Sequence, residues 1–335
     1  MATLPKVNEF GFYEIRLESI GGLGANLAGK MLAEAGVVGA GFNGVSFSSY
    51  GSEKKGSPVK AHIRFCAPDH HIRDTTPVER PHLVGIFHEN LYKTVNVISG
   101  IYPDSIVLVN SSKTPEQLKE KLKLKSGTIA VVDATGIALE EKNRVNMAMM
   151  GAIFRLLPFL DKQIMYDIIE AQLGKKYPQA VAPAKRTFDR GYSEIRMQTF
   201  EAPEGVEMPG FTRWDTPVLG YETQPIGGTI TNPGNSVLKD LSISRAGLMP
   251  EFHEEKCIHC AACDTACPDF CFVWEEKPDK KGRPQMFLQG IDYQYCKGCL
   301  KCVAVCPTQA LTERRETDDE FALARRVPHR WDWAV

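Results

Sequence analysis

The 335-residue sequence predicts an α/β domain joined by an extended, proline- and glycine-rich strap to a small, cysteine-rich α+β domain. Up to about residue 197, short apolar segments alternate with helix-like ones, as in a mostly parallel sheet flanked by helices. Prolines and glycines crowd residues 198–249, too densely for continuous helix or strand. Nine of the ten cysteines fall between residues 257 and 306. We therefore expect four segments: 1–197, 198–249, 250–312 and a tail at 313–335.

The first strand and helix flank a glycine turn. Residues 13–20 alternate apolar and polar side chains, and a helix-like run extends from Ala25 to Ala35. The turn between them contains Gly21, Gly22 and Gly24. A dinucleotide-binding G-x-G-x-x-G would place its third glycine at Leu27, and no acidic residue follows at the required distance. We favour a tight turn that lets the helix pack closely on the sheet, and an anion at this helix N-terminus stays open.

The remaining elements of the first domain follow the same periodicity. Residues 59–65 alternate and predict a half-buried strand, while three short apolar runs are typical of buried strands. These runs are Leu83–Phe87, Ile106–Val109 and Ile129–Val132. The predicted helices are 115–123, 138–157 and 160–173.

The later segments differ in texture. Phe211 and Trp214 predict that the strap lies over another surface, because a free linker would bury nothing. Within 250–312, a Lys-Pro-Asp-Lys-Lys-Gly-Arg-Pro stretch at 277–284 predicts a β-hairpin inserted between two halves of a repeat. The tail is charged and contains Trp331 and Trp333, so it either docks on a partner or is solvated.

The cysteines form the pattern C-x2-C-x2-C-x3-C-P twice. Three thiolates two residues apart can wrap one corner of an iron–sulfur cube, and in two-cluster ferredoxins the fourth ligand comes from the other run. We therefore expect a ferredoxin-like domain with two [4Fe–4S] clusters. The first cluster is assigned to Cys257, Cys260, Cys263 and Cys306. The second is assigned to Cys296, Cys299, Cys302 and Cys267.

Other interpretations of these cysteines fit less well. Zinc favours two separated pairs of ligands, and a disulfide framework suits small secreted domains. Cys271 lies outside both runs and is expected to be an apolar filler, while His259 and Lys297 are expected to face solvent. Two clusters form a relay for electrons, and we predict no catalytic residue on this chain.

Composition limits the classes of partner. The formal net charge of −1 gives no basic field for nucleic acid or an anionic membrane. No apolar run reaches the roughly 20 residues that span a bilayer, and residues 1–10 lack a signal-peptide pattern. Because cluster ligands need a reducing compartment, we expect a cytoplasmic protein, and iron–sulfur clusters of this kind suggest an anaerobic context.

Together these features resemble the 2-oxoacid:ferredoxin oxidoreductases. Their γ subunit opens with strand, Gly-Gly-x-Gly and helix, as in Glu14–Ala35, and carries an acidic-basic-basic-Gly-small-Pro-Val loop, matched by residues 53–59. Their δ subunit is a two-cluster ferredoxin preceded by a Pro-Gly-Ser segment, similar to residues 232–236. The resemblance covers nearly the whole chain, and implies a fused γδ subunit of the pyruvate synthase or oxalate oxidoreductase type. It makes 1–197 the γ-type domain and 250–312 the δ-type domain.

The resemblance implies an electron-transfer subunit of a thiamine-diphosphate-dependent enzyme. Electrons from oxidative decarboxylation of a 2-oxoacid, pyruvate or oxalate, would leave through this chain to a soluble ferredoxin. Thiamine diphosphate, Mg²⁺ and a further [4Fe–4S] cluster are expected on partner α and β subunits, because the Gly-Asp-Gly thiamine fingerprint does not occur here. The expected assembly is a dimer of heterotrimers. The substrate and any role of coenzyme A stay open.

An iron–sulfur relay subunit of a hydrogenase- or formate-dehydrogenase-type complex is the alternative function. The partner discriminates the two hypotheses, since the first requires a thiamine-binding subunit and the second a metal-hydride or molybdenum subunit. A free-standing sensor fits less well, because no effector or DNA-binding element is recognisable in the sequence.

Overall fold

The chain divides into two compact units, Met1–Asp215 and Thr216–Val335. The structure, a computed structural model, describes residues 3–50, 57–93, 95–202, 208, 210, 226–228, 240–245, 247–279, 281–317 and 320–329. Several predictions fall outside these ranges. They concern most of the strap with Phe211 and Trp214, the 232–236 segment, residues 53–56 of the charged loop, and Trp331 and Trp333. The segment boundaries at 197, 249 and 312 stay predictions.

The first unit is built on a seven-stranded sheet with the order β2-β3-β1-β4-β5-β6-β7. Strands β1, β4, β5 and β6 pair in parallel, while β2, β3 and β7 form antiparallel pairs at the edges, so five strands run in one direction. The strands are β1 (Tyr13–Ile20), β2 (Asn43–Tyr50), β3 (Pro58–Cys66), β4 (Leu83–Ile86), β5 (Ile106–Asn110), β6 (Gly127–Val132) and β7 (Arg196–Phe200). This is the predicted mostly parallel sheet.

Helices cover both faces of this sheet. Helices α1, α3, α4, α5 and α6 contribute to the core on one face, and α2 contributes to the core on the other. They are α1 (Ala25–Glu34), α2 (Pro115–Leu122), α3 (Ala134–Glu140), α4 (Val145–Leu156), α5 (Lys162–Leu173) and α6 (Pro178–Ser193). Helix α1 continues into one π-helical turn, Ala35–Gly39. Within the described ranges, no helix is both long and apolar enough to cross a membrane.

Helix α1 packs closely on the sheet, as the glycine turn predicts. Gly24 caps the helix with a φ of +86°, a conformation that favours glycine. The close approach itself lies inside the helix, where a Cβ on Gly29 would meet the Ala61 Cβ at 3.0 Å. The π-helical turn continues this contact, because a Cβ on Gly36 would lie 2.2 Å from the Phe65 ring.

Residues 59–65 form a strand as predicted, but the strand is not half-buried, since every residue from Ala61 to Cys66 is buried. His62 and Arg64 are buried, because Arg64 pairs with Glu14 of the neighbouring strand β1 and His62 Nδ1 accepts the Val78 N–H at 3.1 Å. The Arg64 Nε donates to Glu14 Oε1 at 2.6 Å, and Lys60 Nζ lies 3.2 Å from Glu18 Oε1. A charge that has an opposite partner can be buried on a face that the alternating pattern assigns to solvent.

Four further elements differ from the prediction. The predicted helix 138–157 is two helices, α3 and α4, separated where Lys142 adopts a φ of +50°. Strands β2 and β7 and helix α6 were not predicted. The β2 sequence is rich in serine and glycine, and α6 contains Pro183 and Gly191, so propensity alone argues against β2 and α6.

The described residues of the second unit form two small antiparallel sheets and three short α-helices. Strands β9 and β10 form the predicted hairpin around the 277–284 turn, and β8 pairs with β11. The elements are β8 (Leu248–Phe252), α7 (Ala262–Ala266), β9 (Phe272–Pro278), β10 (Pro284–Ile291), α8 (Lys301–Val305), β11 (Leu311–Arg315) and α9 (Glu320–Arg325). Strand β11 continues across the predicted 312/313 boundary.

Helices α4 and α6 cross at two glycines, which gives a test of this packing. A Cβ on Gly191 would lie 2.0 Å from the Ala148 carbonyl oxygen, so Gly191→Ala must separate the helices. We expect a loss of about 1–3 kcal/mol or more, measured as a lower melting temperature by far-UV circular dichroism. Ala182→Ser also adds one heavy atom to α6 but on its exposed face, and should cost about 0.5 kcal/mol or less. Equal melting temperatures for the two variants would contradict this close crossing.

Candidate iron–sulfur site

The two cysteine runs adopt the same local backbone. Each passes through left-handed residues at the second, fourth and thirteenth positions after its first cysteine. In the first run these are His259, Ala261 and Phe270, and in the second Gly298, Leu300 and Gln309. Helices α7 and α8 begin directly after the middle member of each set, and each is followed at once by the fourth cysteine of its run. The repeat predicted from the cysteine spacing is therefore present in the fold.

Two cavities lie against these runs, and each is lined by four of the predicted ligands. The first is lined by Cys257, Cys260, Cys263 and Cys306. The second is lined by Cys267, Cys296, Cys299 and Cys302. In both cavities the fourth cysteine comes from the other run. Among the described residues, no three His, Cys, Asp or Glu side chains converge as they would on a single ion. The four thiols of each set instead surround a space.

The remaining walls of both cavities are largely apolar. Trp274, Leu288 and Leu311 contribute to the first and Phe272 and Ile291 to the second. Burial raises the pKa of both Cys263 and Cys302 to about 12. Thiols with such pKa values stay protonated at neutral pH unless a positive metal centre displaces the proton. Four soft sulfur donors around an apolar space fit a [4Fe–4S] cluster, which would be held by these cysteines.

Backbone N–H groups point at the ligand sulfurs. The His259 N–H donates to Cys257 Sγ at 3.4 Å, and the Cys271 N–H donates to Cys267 Sγ at 3.5 Å. Hydrogen bonds of this kind orient the ligand and stabilise negative charge on its sulfur. At least one such bond is therefore present at each cavity.

The prediction that His259 and Lys297 face solvent is wrong for His259, while the Lys297 side chain is 38% exposed and also forms an ion pair. His259 Nδ1 accepts the Leu288 N–H at 3.1 Å, and the imidazole packs edge-on against Phe287. The ring therefore anchors the first cysteine loop to strand β10. Lys297 Nζ lies 3.0 Å from Asp269 Oδ2, which joins the second cysteine loop to the segment after Cys267. Neither interaction could be read from the sequence, since both link residues about 30 positions apart.

Arg245 is a site residue that the sequence did not reveal. Its side chain is buried, and Nη1 donates to the carbonyl oxygens of Tyr293 at 2.9 Å and Cys296 at 3.2 Å. Glu316 balances the charge with a carboxylate oxygen 2.9 Å from Nη2. The Arg245 side chain also packs on the turn at Gly298. A Cβ added to Gly298 would meet Arg245 Cγ at 3.1 Å and the Leu248 carbonyl oxygen at 2.2 Å. Arg245 thus holds the loop that carries Cys296.

Cys271 does more than fill apolar space. It is buried beside the second cavity, and its Sγ lies 3.6 Å from Cys267 Sγ. The hydrogen bonds of Cys271 with Cys267 and Cys296 lower the pKa of both of these thiols and raise the pKa of Cys271. The prediction that Cys271 is a small buried residue is confirmed by its burial, but the prediction did not include its hydrogen bond to Cys267.

Part of the tail packs on the same unit. Asp292 is fully buried and accepts from Arg326 Nε at 2.6 Å and from the His329 N–H at 3.0 Å. The Asp292 N–H in turn donates to the Cys271 carbonyl oxygen at 2.7 Å. Residues 320–329 are therefore not a solvated tail, and they brace the segment beside the second cavity.

Comparison with known families identifies the first unit. The model of the family described as pyruvate ferredoxin/flavodoxin oxidoreductase matches residues 14–194, which is more than half of the chain. The chain belongs to the pyruvate ferredoxin/flavodoxin oxidoreductase family. A second model, described as a 4Fe-4S dicluster domain, matches residues 256–310. The eight motif cysteines of this dicluster domain imply two [4Fe–4S] clusters.

Curated relatives match different parts of this chain. Pyruvate synthase subunit PorC of Thermotoga maritima is 38% identical over 188 residues, which covers 55% of this chain and 95% of that protein. The common γ subunit of the pyruvate/ketoisovalerate oxidoreductases of Pyrococcus abyssi is 35% identical, covering 51% and 94%. Subunit PorD of Thermotoga maritima is 38% identical over 94 residues, covering 28% and 85%. The chain is thus a fused γδ-type oxidoreductase subunit.

Removal of the buried guanidinium tests the role of Arg245. Arg245→Met removes the buried cation that pairs with the Glu316 carboxylate, which should cost about 3–5 kcal/mol. The measurement is the melting temperature of the anaerobically purified protein, together with the rate at which its iron–sulfur absorbance bleaches on heating.

Arg283→Met is the matched control. Arg283 also forms an ion pair, with Asp279, but its side chain is 70% exposed and its loss should cost about 0.5 kcal/mol or less. If both variants bleach at the wild-type rate, the Arg245 contacts do not stabilise the second cysteine loop.

Proposed function

We propose that this chain is the electron-transfer subunit of a thiamine-diphosphate-dependent 2-oxoacid:ferredoxin oxidoreductase that acts on pyruvate. One observation carries the proposal: a γ-type family domain and a dicluster domain, whose eight cysteines line two cavities, occur in a single chain. Pyruvate is favoured over oxalate because relatives of both parts are pyruvate synthase subunits of the same organism.

The ligand sets are proposed as predicted from the sequence. Cys257, Cys260, Cys263 and Cys306 would hold the first cluster, and Cys296, Cys299, Cys302 and Cys267 the second. The lining of the two cavities supports this pairing. When bound, each [4Fe–4S] cluster supplies a site that takes up and releases one electron.

The described residues of this chain position and protect those centres. Largely apolar walls limit water at the buried thiols of Cys263, Cys296 and Cys302, whereas Cys260 and Cys299 are exposed. The His259 and Cys271 N–H groups donate to ligand sulfurs. Arg245, Lys297 and His259 fix the loops on which the ligands lie. The proposal assigns no catalytic residue to this chain, so its contribution to turnover is the rate and direction of electron transfer.

The proposal requires partners. The α and β subunits of the same enzyme would carry thiamine diphosphate, Mg²⁺ and a further [4Fe–4S] cluster, and a soluble ferredoxin would accept the electrons in the cytoplasm. A relative named as the common γ subunit of two oxidoreductases supports the presence of other subunits. A dimer of heterotrimers is the proposed assembly.

The test of this function is an anaerobic purification of the native complex through a tag on this chain. Reduction of a viologen dye is assayed with pyruvate and with oxalate, each with and without coenzyme A, and thiamine diphosphate is measured on the same sample. We expect bound thiamine diphosphate and pyruvate-dependent reduction. Oxalate-dependent activity alone would correct the substrate. A complex with iron–sulfur clusters but no thiamine diphosphate would contradict the proposal and indicate a relay for another enzyme, such as a hydrogenase.

The crossed ligand pairing can be tested by matching serine variants. Cys306→Ser should give the same electron paramagnetic resonance spectrum as Cys257→Ser, because both remove a ligand of the first cluster. Cys267→Ser should match Cys296→Ser for the same reason at the second. All four variants are compared after anaerobic purification, with iron counted in each. A Cys306→Ser spectrum that matches Cys296→Ser instead would show that each run supplies all four of its own ligands.

A further inference from the structure

Among the equivalent positions of the repeat that differ between the two cavities, one carries a thiol at the second cavity only. Four residues after the last cysteine of each run stands Cys271 in the first run and Ala310 in the second. Both are buried, at 3% and 2% exposure, and both follow a left-handed residue. Both carbonyl oxygens accept a backbone N–H, from Asp292 at 2.7 Å and from His253 at 2.8 Å. The fold therefore places a thiol beside the second cavity where it places a methyl group beside the first.

The thiol of Cys271 is directed at a proposed ligand. Its Sγ is 3.6 Å from Cys267 Sγ, within the range of an S–H···S hydrogen bond, and the Cys271 N–H donates to the same sulfur at 3.5 Å. Cys271 also lines the second cavity, which has four other cysteines available as ligands. Because the side chain is buried, water does not compete for the thiol proton.

We propose that Cys271 is a fifth, non-ligating cysteine that raises the reduction potential of the second cluster by donating a hydrogen bond to the sulfur of Cys267. The proposal rests on the ligand sets of the proposed function. Reduction adds negative charge that the ligand sulfurs share, and a donor stabilises the more negative form. The interaction is a hydrogen bond only, and no covalent bond to sulfur forms or breaks.

Substitution of Cys271 does not change the other charged groups around the second cavity, which are all paired. Arg245 donates to the Cys296 carbonyl oxygen and is paired with Glu316, Lys297 is paired with Asp269, and Asp292 is paired with Arg326. Since the first centre carries Ala310 at the matching position, the Cys271 thiol acts on one centre only. It biases an electron shared by the two clusters toward the second.

The experiment compares Cys271→Ala, Cys271→Ser and wild type in the anaerobically purified full-length protein within its complex. Iron is counted, and the midpoint potentials of both clusters are measured by electron paramagnetic resonance during a redox titration. All three proteins should contain the same iron. Cys271→Ala should shift one midpoint to a more negative potential and leave the other unchanged. Cys271→Ser should shift it less, because its hydroxyl still donates.

Ala310→Cys is the mirror variant and reports on the other centre. Adding a thiol beside Cys306 should shift the midpoint that Cys271→Ala leaves unchanged, and in the positive direction. If the larger side chain disturbs the first centre, which the iron count detects, the Cys271→Ser comparison still decides the proposal.

Two results would overturn the proposal. Loss of one cluster's iron in Cys271→Ala would make Cys271 a ligand, and unchanged midpoints in that variant would show that its thiol does not tune the centre. The outcome is separable from the proposed function, because the midpoints are measured without substrate. A complex that lacks thiamine diphosphate would sink the proposed function and leave the tuning result standing.

Discussion

A loop of three cysteines spaced two residues apart reaches only part of a cubic cluster, and much of the second unit follows from that constraint. Each cavity needs a fourth sulfur from elsewhere, and Cys306 and Cys267 lie at the opposite cavity from their own run. The two runs must therefore fold side by side, so that the fourth cysteine of each run reaches the cavity of the other. The matching left-handed residues, the paired helices α7 and α8 and the β8–β11 pairing are how this chain achieves it.

An apolar environment disfavours the negative charge of thiolate ligands, and buried hydrogen-bond donors and cations in the second unit oppose this effect. Apolar walls raise the pKa of Cys263 and Cys302, which disfavours the thiolate form until a metal centre is present. Arg245, the backbone N–H donors and the Cys271 thiol all stabilise negative charge beside the second cavity. Because Arg245 is itself paired with Glu316, the unit buries this cation without leaving it uncompensated.

The parts of this fold that depend on local spacing could be predicted from the sequence. The cysteine runs, the hairpin around residues 277–284 and the parallel strands all follow from periodicity or motif spacing. The roles of Arg245 and His259 could not, since each depends on contacts with residues far along the chain. The same reason explains the buried charges of β1 and β3, whose alternating pattern suggests an exposed face until the cross-strand partner is known.

The central claim is that this single chain holds two [4Fe–4S] clusters, and the most direct measurement is its iron and acid-labile sulfide content. The chain is purified without oxygen, and both elements are counted per polypeptide alongside a Mössbauer spectrum. We predict about eight iron atoms and about eight sulfides per chain, with all iron in [4Fe–4S] form. About four of each, or zinc with no sulfide, would contradict the account.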